Sequence, residues 1–455
     1  MVPKHTLDKN LISLDLLILL LVTPAYIKGQ DAYIIFVSLL VYIFLSLWLP
    51  LTSNNDNGNL QNRLGFVLRY GFLLVIATAA VIIPTATNII IRSVTPIEAD
   101  GFSPAYSTLS DSALQTELAL GYLNEGRNPY VESYENTPIR FYQWADVGQP
   151  DWKDPVFSYF VYLPGTLWLS LPLYKASSAI NIFYDQRIIY LLTYIILLLV
   201  LPQVAKEPIY KLSVVAAVAL NPLFTNSVLL GMNDVAPFLL LILTILALAR
   251  RRFIYAAVFM GLACALKQYV WFIVPFFTLF VWEYNESSQR WRSIIWSLAI
   301  IGLIVLGTAL PFLLWDPQAL YVDTLAFPAG RAGILYPIRG FTIGRLLMGA
   351  GVIPTFVSPF PFQLLQMIIG LPTLFLALRY QYGRGLGAML VAASLFIFVF
   401  GYLSRFFHEN YVGIVIAIAS LGVLISWSAQ NDEGVRESPH KSPPRLDHIP
   451  TDPEA

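Results

Sequence analysis

The chain has 455 residues, of which 57% are hydrophobic and only 12% are charged, whereas soluble domains carry about 25% charged residues. Its formal net charge is zero, so composition gives no indication of nucleic-acid binding. The mean hydropathy of +0.64 and the continuous apolar runs exclude an ordinary soluble fold, and also a β-barrel, whose strands alternate. The single cysteine, Cys264, excludes a disulfide framework within the chain.

The apolar runs predict an all-α polytopic membrane protein, because helices satisfy their own backbone hydrogen bonds in lipid. We expect roughly twelve to fourteen transmembrane helices, with two short ones at 253–282. The first run is interpreted as a retained span, since no small-residue cleavage site follows it. The predicted apolar segments are 11–27, 32–52, 64–91, 157–174, 188–204, 209–230, 235–249, 253–282, 293–315, 341–357, 362–378, 386–404 and 410–427.

Four regions are predicted along the chain. Residues 1–91 form N-terminal transmembrane helices, and 92–156 form a long, partly helical extracytoplasmic loop. Residues 157–428 form a transmembrane core. Residues 429–455, which are rich in Pro, Ser and charge, form a disordered cytoplasmic tail.

Arginines determine the predicted orientation in the cell membrane. The arginines at 250–252 mark a cytoplasmic end, and Arg63 and Arg69 place the loop after the second span inside. The loop 92–156 then lies outside, in agreement with its ten acidic and four basic residues. Residues 157–187 are expected either to cross once or to dip and return.

The long loop carries the pattern of an ordered segment. Leu114, Leu118 and Tyr122 recur at helical spacing, which predicts a short amphipathic helix over 110–126 that could lie on the membrane surface. Asp111 stands at its start, where spacing alone leaves two interpretations: an N-cap, or a carboxylate held at the surface as a general base. The dense Tyr and Trp residues of the loop fit either a lipid–water boundary or stacking on sugar rings.

Several short motifs follow one another in a characteristic order. Asp111 precedes GRNPY at 126–130, and then come YLP at 162–164, NP at 221–222, GMND at 231–234, GLA at 261–263, KQ at 267–268 and NY at 410–411. This order resembles the GT-C glycosyltransferases, polytopic enzymes that use lipid-phosphate sugars. It is closest to the polyprenol-phosphate-mannose-dependent mannosyltransferases, and it covers about residues 100 to 415.

Two features depart from the pattern of that family. The loop follows the third apolar segment, whereas many relatives carry it after the first; an extra N-terminal hairpin would explain the difference. Many relatives also carry a second acid directly after the Asp, where this chain has Ser112. A role for paired carboxylates would therefore need Glu98 or Asp100.

The resemblance implies transfer of a hexose, mannose first, from a polyprenyl-phosphate sugar to an acceptor on the extracytoplasmic side. It implies inversion at the sugar carbon with Asp111 as general base. The expected partners are the lipid-linked donor, a glycolipid or glycan acceptor and membrane lipids, and the expected cofactors are none, with a divalent cation left open. The implied substrate-binding residues are Asp100, Arg127, Tyr130, Tyr162, Asn233, Asp234, Lys267, Arg339, Arg405, His408 and Asn410.

Structural interpretations stand beside these roles. Lys267 lies in an apolar stretch and is either a phosphate ligand or a lysine that extends to the membrane surface. Asn233-Asp234 is either part of the site or a helix cap before Val235, and His408 is either a phosphate ligand or an interfacial residue. At the level of function, a transporter or flippase is the alternative, and a polysaccharide polymerase or ligase is a third class.

Overall fold

The computed structural model describes residues 13–27, 32–49, 51, 60–95, 108–142 and 153–436. The predicted site residue Asp100 and residues 437–455 of the predicted tail lie outside these ranges. Among the described residues the fold is almost wholly helical, which confirms the all-α polytopic prediction. The strands among the described residues are the two-residue β1 (Arg339–Gly340) and β2 (Phe406–Phe407), which pair in parallel, and the remaining non-helical residues form turns and loops.

The N-terminal region is helical throughout its described part. Its helices are α1 (Leu14–Val22), α2 (Ala32–Trp48), α3 (Leu60–Ala77) and α4 (Ile83–Val94). A π-helical turn joins α3 to α4, so that Leu60–Val94 is one apolar helix of 35 residues. Arg69, which the orientation argument used as a marker of the cytoplasmic side, is fully buried in α3 and bonded to Asp15.

The long loop contains helix α5 (Asp111–Asn124), which confirms a helix inside the predicted range of 110–126. Gly126 follows it with a φ of +76°, the left-handed conformation expected after a helix end. The buried side differs from the predicted stripe: Ala113, Ala119 and Leu120 are buried, whereas Leu118 and Tyr122 are only partly covered. The helix is therefore packed into the protein along one side and does not lie on lipid alone.

The core begins after the loop. Its first helices are α6 (Pro164–Ala179), α7 (Arg187–Val200), α8 (Pro208–Val214), α9 (Pro222–Leu230), α10 (Val235–Ala249), α11 (Phe253–Leu266), α12 (Val274–Glu283) and α13 (Arg290–Trp315). The remaining helices are α14 (Pro317–Tyr321), α15 (Ile343–Gly349), α16 (Phe362–Leu365), α17 (Leu371–Gln381), α18 (Gly385–Tyr402) and α19 (Glu409–Arg436). Helix α19 extends beyond residue 429, where the tail was predicted to begin.

The apolar helices fall into two classes by length. Among the described residues, six helices are long and apolar enough to cross a membrane, or up to seven if the bent pair α8–α9 is one span. Five shorter apolar helices of 10–17 residues accompany them, including the predicted pair within 253–282. The segment 341–357 was predicted as a span and is not one, because its only helix is the seven-residue α15.

The directions of α10 and α11 place two residues of the motif series and three arginines at opposite ends of these helices. Helix α10 starts beside Asp234 and ends at the arginines at 250–252, and α11 returns and ends at Lys267. Asp234 and Lys267 therefore lie at one end of the core, and the three arginines lie at the other.

A separate apolar cluster underlies the long loop. It brings Tyr130 and Tyr134 of the loop against Phe160 and against Phe312 of α13. The ring centroids of Tyr130 and Phe312 are 5.2 Å apart, and those of Tyr130 and Phe160 are 5.4 Å apart. This packing orders the loop over the end of the core at which Asp234 and Lys267 lie.

Candidate functional site

Lys267 is buried at a break between two helices. It ends α11 in an extended conformation, and its side chain is 8% exposed. The Nζ atom lies 3.1 Å from Oδ1 of Asp234 and donates a hydrogen bond to Oδ1 of Asn233. The interpretation of Lys267 as a lysine that reaches the membrane surface is therefore wrong, since its charge is turned into the protein.

Asp234 serves this cluster and does not cap α10. It occupies the residue before Val235, but its side chain makes no capping hydrogen bond. Its Oδ2 instead accepts a 2.7 Å hydrogen bond from Nδ2 of Asn410, at the start of α19. Three residues from different parts of the motif series, Asp234, Lys267 and Asn410, are thus joined in one buried network.

The break at Lys267 is held by the segment that leads into α6. A Cβ atom on Gly165 would lie 2.4 Å from the carbonyl oxygen of Ala265, so only glycine allows this approach. Thr166 donates a 3.3 Å hydrogen bond to the carbonyl of Leu266. Gln268 donates to the carbonyls of Val161 and Thr324 at 3.1 and 3.2 Å. These contacts satisfy the carbonyl of Leu266 at the broken helix and hold the break against Val161 and Thr324.

Asp111 is not the N-cap of α5. The cap is Ser110, whose Oγ accepts a 3.2 Å hydrogen bond from the N–H of Ala113. Asp111 is the first residue of the helix, and one carboxylate oxygen accepts only the N–H of Ser112, at 2.7 Å. Burial raises the pKa of Asp111, against the smaller opposite effect of that N–H group. The carboxylate is thus free of a capping role.

The start of α5 is docked on the turn that precedes Asn233 and Asp234. The N–H of Ser110 donates to the carbonyl of Leu230 at 2.7 Å. Gly231 has a φ of +77°, and a Cβ atom there would lie 2.7 Å from Cγ of Arg187 and 3.0 Å from Cβ of Ala113. The glycine of the GMND motif therefore lets α5 pack directly against this turn.

Tyr162 lies near both Asp111 and Lys267. Burial raises its pKa well above the usual value, and the negative charge of Asp111 raises it further. Its ring centroid is 5.9 Å from Nζ of Lys267, and the ring of Tyr411 is 5.6 Å from the same atom. Tyr130 donates a 2.8 Å hydrogen bond to the backbone carbonyl of Tyr162. Tyr130 therefore holds the backbone of Tyr162 in place.

His408 and Tyr336 form a second polar pair near Asp111. The Tyr336 hydroxyl and Nε2 of His408 are 2.9 Å apart. Burial, and then the charge of Arg339, lower the pKa of His408 to about 4, so its imidazole is neutral at neutral pH. Burial and the charge of Asp111 raise the pKa of Tyr336 well above its usual value. This pair can offer hydrogen bonds but no positive charge.

Arg405 organises the backbone around this pair. Its guanidinium donates to the carbonyls of Tyr336, Phe356 and Ser358, the last two at 3.1 and 3.0 Å. Burial lowers its pKa to about 10. The strand pairing of Arg339 with Phe406 places Arg339 beside the same segment. Arg405 thus joins the segments around Tyr336 and around Phe356 and Ser358 to the residues that lead into α19.

Arg127 is separate from these clusters. Its side chain is 46% exposed, bonded to Glu125 and Glu132, and its guanidinium carbon lies 4.4 Å from the ring centroid of Tyr122. The structure therefore brings together Asp111, Tyr162, Asn233, Asp234, Lys267, Arg339, His408 and Asn410. It gives Tyr130 and Arg405 supporting contacts and leaves Arg127 at the loop surface.

A buried charge network that the sequence analysis missed anchors α5. Arg92 donates to both carboxylate oxygens of Glu117 at 2.8 and 2.7 Å, and to Asp185 at 2.8 Å. Arg187 donates to both oxygens of Asp185 at 2.9 and 2.8 Å and to the carbonyl of Thr108 at 3.1 Å. The sequence did indicate that Arg92 and Arg187 need partners, because both lie at the ends of apolar runs, where an unpaired charge is costly.

The arrangement combines the elements that group transfer requires. A half-buried carboxylate with a raised pKa can accept a proton, and a buried lysine can balance an anion. The buried side chain of Tyr162 lies near both groups. Within the described residues, no group of three His, Cys, Asp or Glu side chains lies close enough to hold a metal ion.

More than half of the chain is similar to a known protein family. The model of glycosyltransferase family 87 matches residues 160–406, which is more than half of the chain. The matched segment includes Tyr162, Asn233, Asp234, Lys267 and Arg339 and excludes the loop that carries Asp111. No curated protein and no solved structure matches the chain.

Proposed function

Because the chain belongs to glycosyltransferase family 87 and is thus a membrane glycosyltransferase of the GT-C type, we propose that it transfers a hexose from a polyprenyl-phosphate sugar. Mannose is the first candidate sugar, and a glycolipid or glycan is the acceptor. Membership of this family favours a transferase over a transporter or a polysaccharide polymerase.

The observation that carries the proposal is the state of Asp111. Ser110 caps α5, so the Asp111 carboxylate has no capping role and keeps most of its hydrogen-bonding capacity. The raised pKa makes it a better proton acceptor than an exposed carboxylate. Docking of α5 on Gly231 holds it on the same turn as Asn233 and Asp234.

The proposed reaction is a single displacement. The Asp111 carboxylate takes the proton of the acceptor hydroxyl, and that oxygen forms a bond to the anomeric carbon. The bond between the anomeric carbon and the phosphate oxygen breaks, and polyprenyl phosphate leaves with the electron pair. Attack from the side opposite the phosphate inverts the anomeric configuration.

Lys267 is the proposed cation for the departing phosphate. It is already held by Asp234 and Asn233, so little side-chain entropy is lost when an anion approaches. Arg339 is the second proposed cation. Because the His408 imidazole is neutral, its proposed contribution is a hydrogen bond to phosphate, and Tyr336 orients the ring.

The membrane orientation supports an extracytoplasmic site. The arginines at 250–252 lie at the end of α10 opposite Asp234, and positive charge accumulates on the cytoplasmic side of membrane proteins. A polyprenyl-phosphate donor stays in the bilayer, so the transferase must act at a membrane surface. The loop with Asp111 covers that surface of the core.

The test is a transfer assay with three radiolabelled donors and the purified, detergent-solubilised protein. The donors are polyprenyl-phosphate mannose, polyprenyl-phosphate glucose and GDP-mannose. We expect transfer from a polyprenyl-phosphate donor, mannose first, into product with inverted anomeric configuration. Transfer from GDP-mannose alone, or retention of configuration, would refute the proposal while leaving the family membership intact.

A further inference from the structure

A large apolar groove lies on the lipid-facing side of the core. It has a volume of about 940 Å³ and runs between α12, α13 and α17. Its walls include Leu279 and Trp282 of α12, Trp291 of α13, Phe375 and Arg379 of α17, and Tyr382. Its size is that of sites that take up whole small molecules.

The groove is at the end of the helices opposite the candidate active site. Helix α17 ends there, where Gln381 donates a 2.8 Å hydrogen bond to the carbonyl of Phe276. The nearby Tyr284 ring lies 3.5 Å from the guanidinium carbon of Arg251, in the group of arginines at 250–252. The groove therefore opens at the basic end of the core, which faces the cytoplasmic leaflet if the proposed orientation holds.

Positive charge dominates this end. The segments 250–252, 282–292 and 379–386 together carry seven arginines and two glutamates. Arg290 lies over the Trp282 ring at 5.4 Å, and Arg384 lies over the Tyr380 ring at 4.5 Å. Arg379 has no hydrogen-bond or ion-pair partner among the described residues, although it lines the apolar groove.

We propose that this groove binds an anionic glycerophospholipid of the bilayer. Arg379 contacts the lipid phosphate, and an acyl chain lies along Leu279 and Phe375. Trp282 and Trp291, whose ring centroids are 4.9 Å apart, lie at the level of the headgroup, where indole rings are favoured. Basic pockets between transmembrane helices recognise such headgroups by this combination of charge and apolar surface.

The lipid is favoured over a protein partner by the lining itself. The exposed fractions of Phe375, Trp291 and Tyr382 are 65%, 67% and 64%, so the protein itself leaves these residues uncovered and available to lipid. A continuous apolar wall with one unpaired guanidinium at its edge complements a molecule with one anionic group and long hydrocarbon chains. The site does not depend on the proposed function, because it is remote from Lys267 and Asp234.

The test is native mass spectrometry of the full chain in mixed micelles with dioleoyl phosphatidylglycerol or dioleoyl phosphatidylcholine. We expect preferential retention of phosphatidylglycerol by the wild type and about a fivefold loss of affinity in Arg379→Gln. Arg379→Lys should keep most of the preference. The matched control is Arg292→Gln, which removes an exposed arginine at the same end but outside the groove.

Several outcomes would overturn the proposal. Equal retention of the two lipids by the wild type would do so, as would unchanged retention in Arg379→Gln. An equal loss in Arg292→Gln would assign the effect to general surface charge. Recovery of a polyprenyl phosphate in place of phospholipid, or of a dimer dissociated by Arg379→Gln, would identify a different occupant. A folding defect in Arg379→Gln would be visible as lost thermal stability, and Arg379→Lys then decides the matter.

Discussion

Replacement of Gly231 by alanine should damage both stability and catalysis, because this glycine joins α5 to the buried cluster. The left-handed φ of +77° costs a non-glycine residue about 1–2 kcal/mol. The new Cβ would lie 2.7 Å from Cγ of Arg187 and 3.0 Å from Cβ of Ala113. Overpacking of this kind typically costs about 1–3 kcal/mol, so the expected total is about 2–5 kcal/mol.

The catalytic effect of Gly231→Ala follows from the displacement of α5. Movement of Ala113 away from the new methyl group also moves Asp111, two residues earlier in the same helix. A misplacement of about 1 Å at a reacting group can cost about 10²-fold in rate. The assay is kcat/KM for sugar transfer by the purified variant, measured together with its thermal unfolding temperature.

Gly126→Ala is the matched control for this substitution. Gly126 has nearly the same φ, +76°, but a Cβ atom there meets nothing within 4 Å. This variant should show the backbone strain alone and keep its transfer rate. If Gly231→Ala and Gly126→Ala lose the same stability and keep the same rate, the packing argument for α5 is wrong.

Three further substitutions test separate parts of the site. Lys267→Met should destabilise the protein by about 3–5 kcal/mol, because Asp234 loses its buried partner, and should abolish transfer. Because the pKa of His408 is lowered to about 4 in the folded protein, the unfolded chain binds a proton first as the pH falls. The contribution of His408 to the free energy of unfolding should therefore be complete above about pH 6.5 and be lost towards pH 4. His408→Gln should weaken this pH dependence. Arg405→Lys should lower stability by about 1–3 kcal/mol, because one ammonium group cannot reach the three separate carbonyls that the guanidinium bonds.

Each of these expectations has its own contradicting result. For the lysine, the double variant Lys267→Met with Asp234→Asn should regain stability but not activity, and regained transfer would exclude a role for Lys267 with the phosphate. For the histidine, equal acid sensitivity of wild type and His408→Gln in thermal unfolding would assign the pH dependence to other groups. For Arg405, unchanged unfolding of the lysine variant would show that the carbonyl contacts contribute nothing measurable.

Hydropathy predicted the helical membrane fold because long apolar runs indicate segments in lipid, where a helix satisfies its own backbone hydrogen bonds. It overestimated the segment 341–357, whose apolar residues surround the short α15 and pack locally around Ile338 and Phe362. Apolar composition indicates burial or lipid exposure, and it cannot separate a span from a compact apolar loop.

The candidate site was predictable in its residues but not in its contacts. The order of motifs selected Asp111, Asp234, Lys267 and Asn410, and three of these four share one hydrogen-bonded network. Spacing alone favoured the N-cap interpretation of Asp111, although Ser110 is an equally good cap one residue earlier. Only the backbone geometry of α5 shows which of the two side chains accepts the N–H groups.

The pairing of the charges around Glu117 could not be predicted, because the partners are distant in sequence. Arg92 and Glu117 are separated by a stretch of loop, and Asp185 comes after the next helix. Each residue alone resembles an ordinary charge at a helix end. Their pairing appears only when the ends of α4 and α7 are brought to the same side of α5.

The measurement that tests the central claim most directly compares Asp111→Asn with wild type in a single-turnover assay. Donor binding is measured in parallel, and Glu125→Gln, which changes an exposed carboxylate after the same helix, is the control. We predict that Asp111→Asn binds the polyprenyl-phosphate donor normally and loses about 10²–10⁴-fold in transfer rate, while the control is unchanged. Transfer by Asp111→Asn at nearly the wild-type rate would contradict the assignment of Asp111 as the general base.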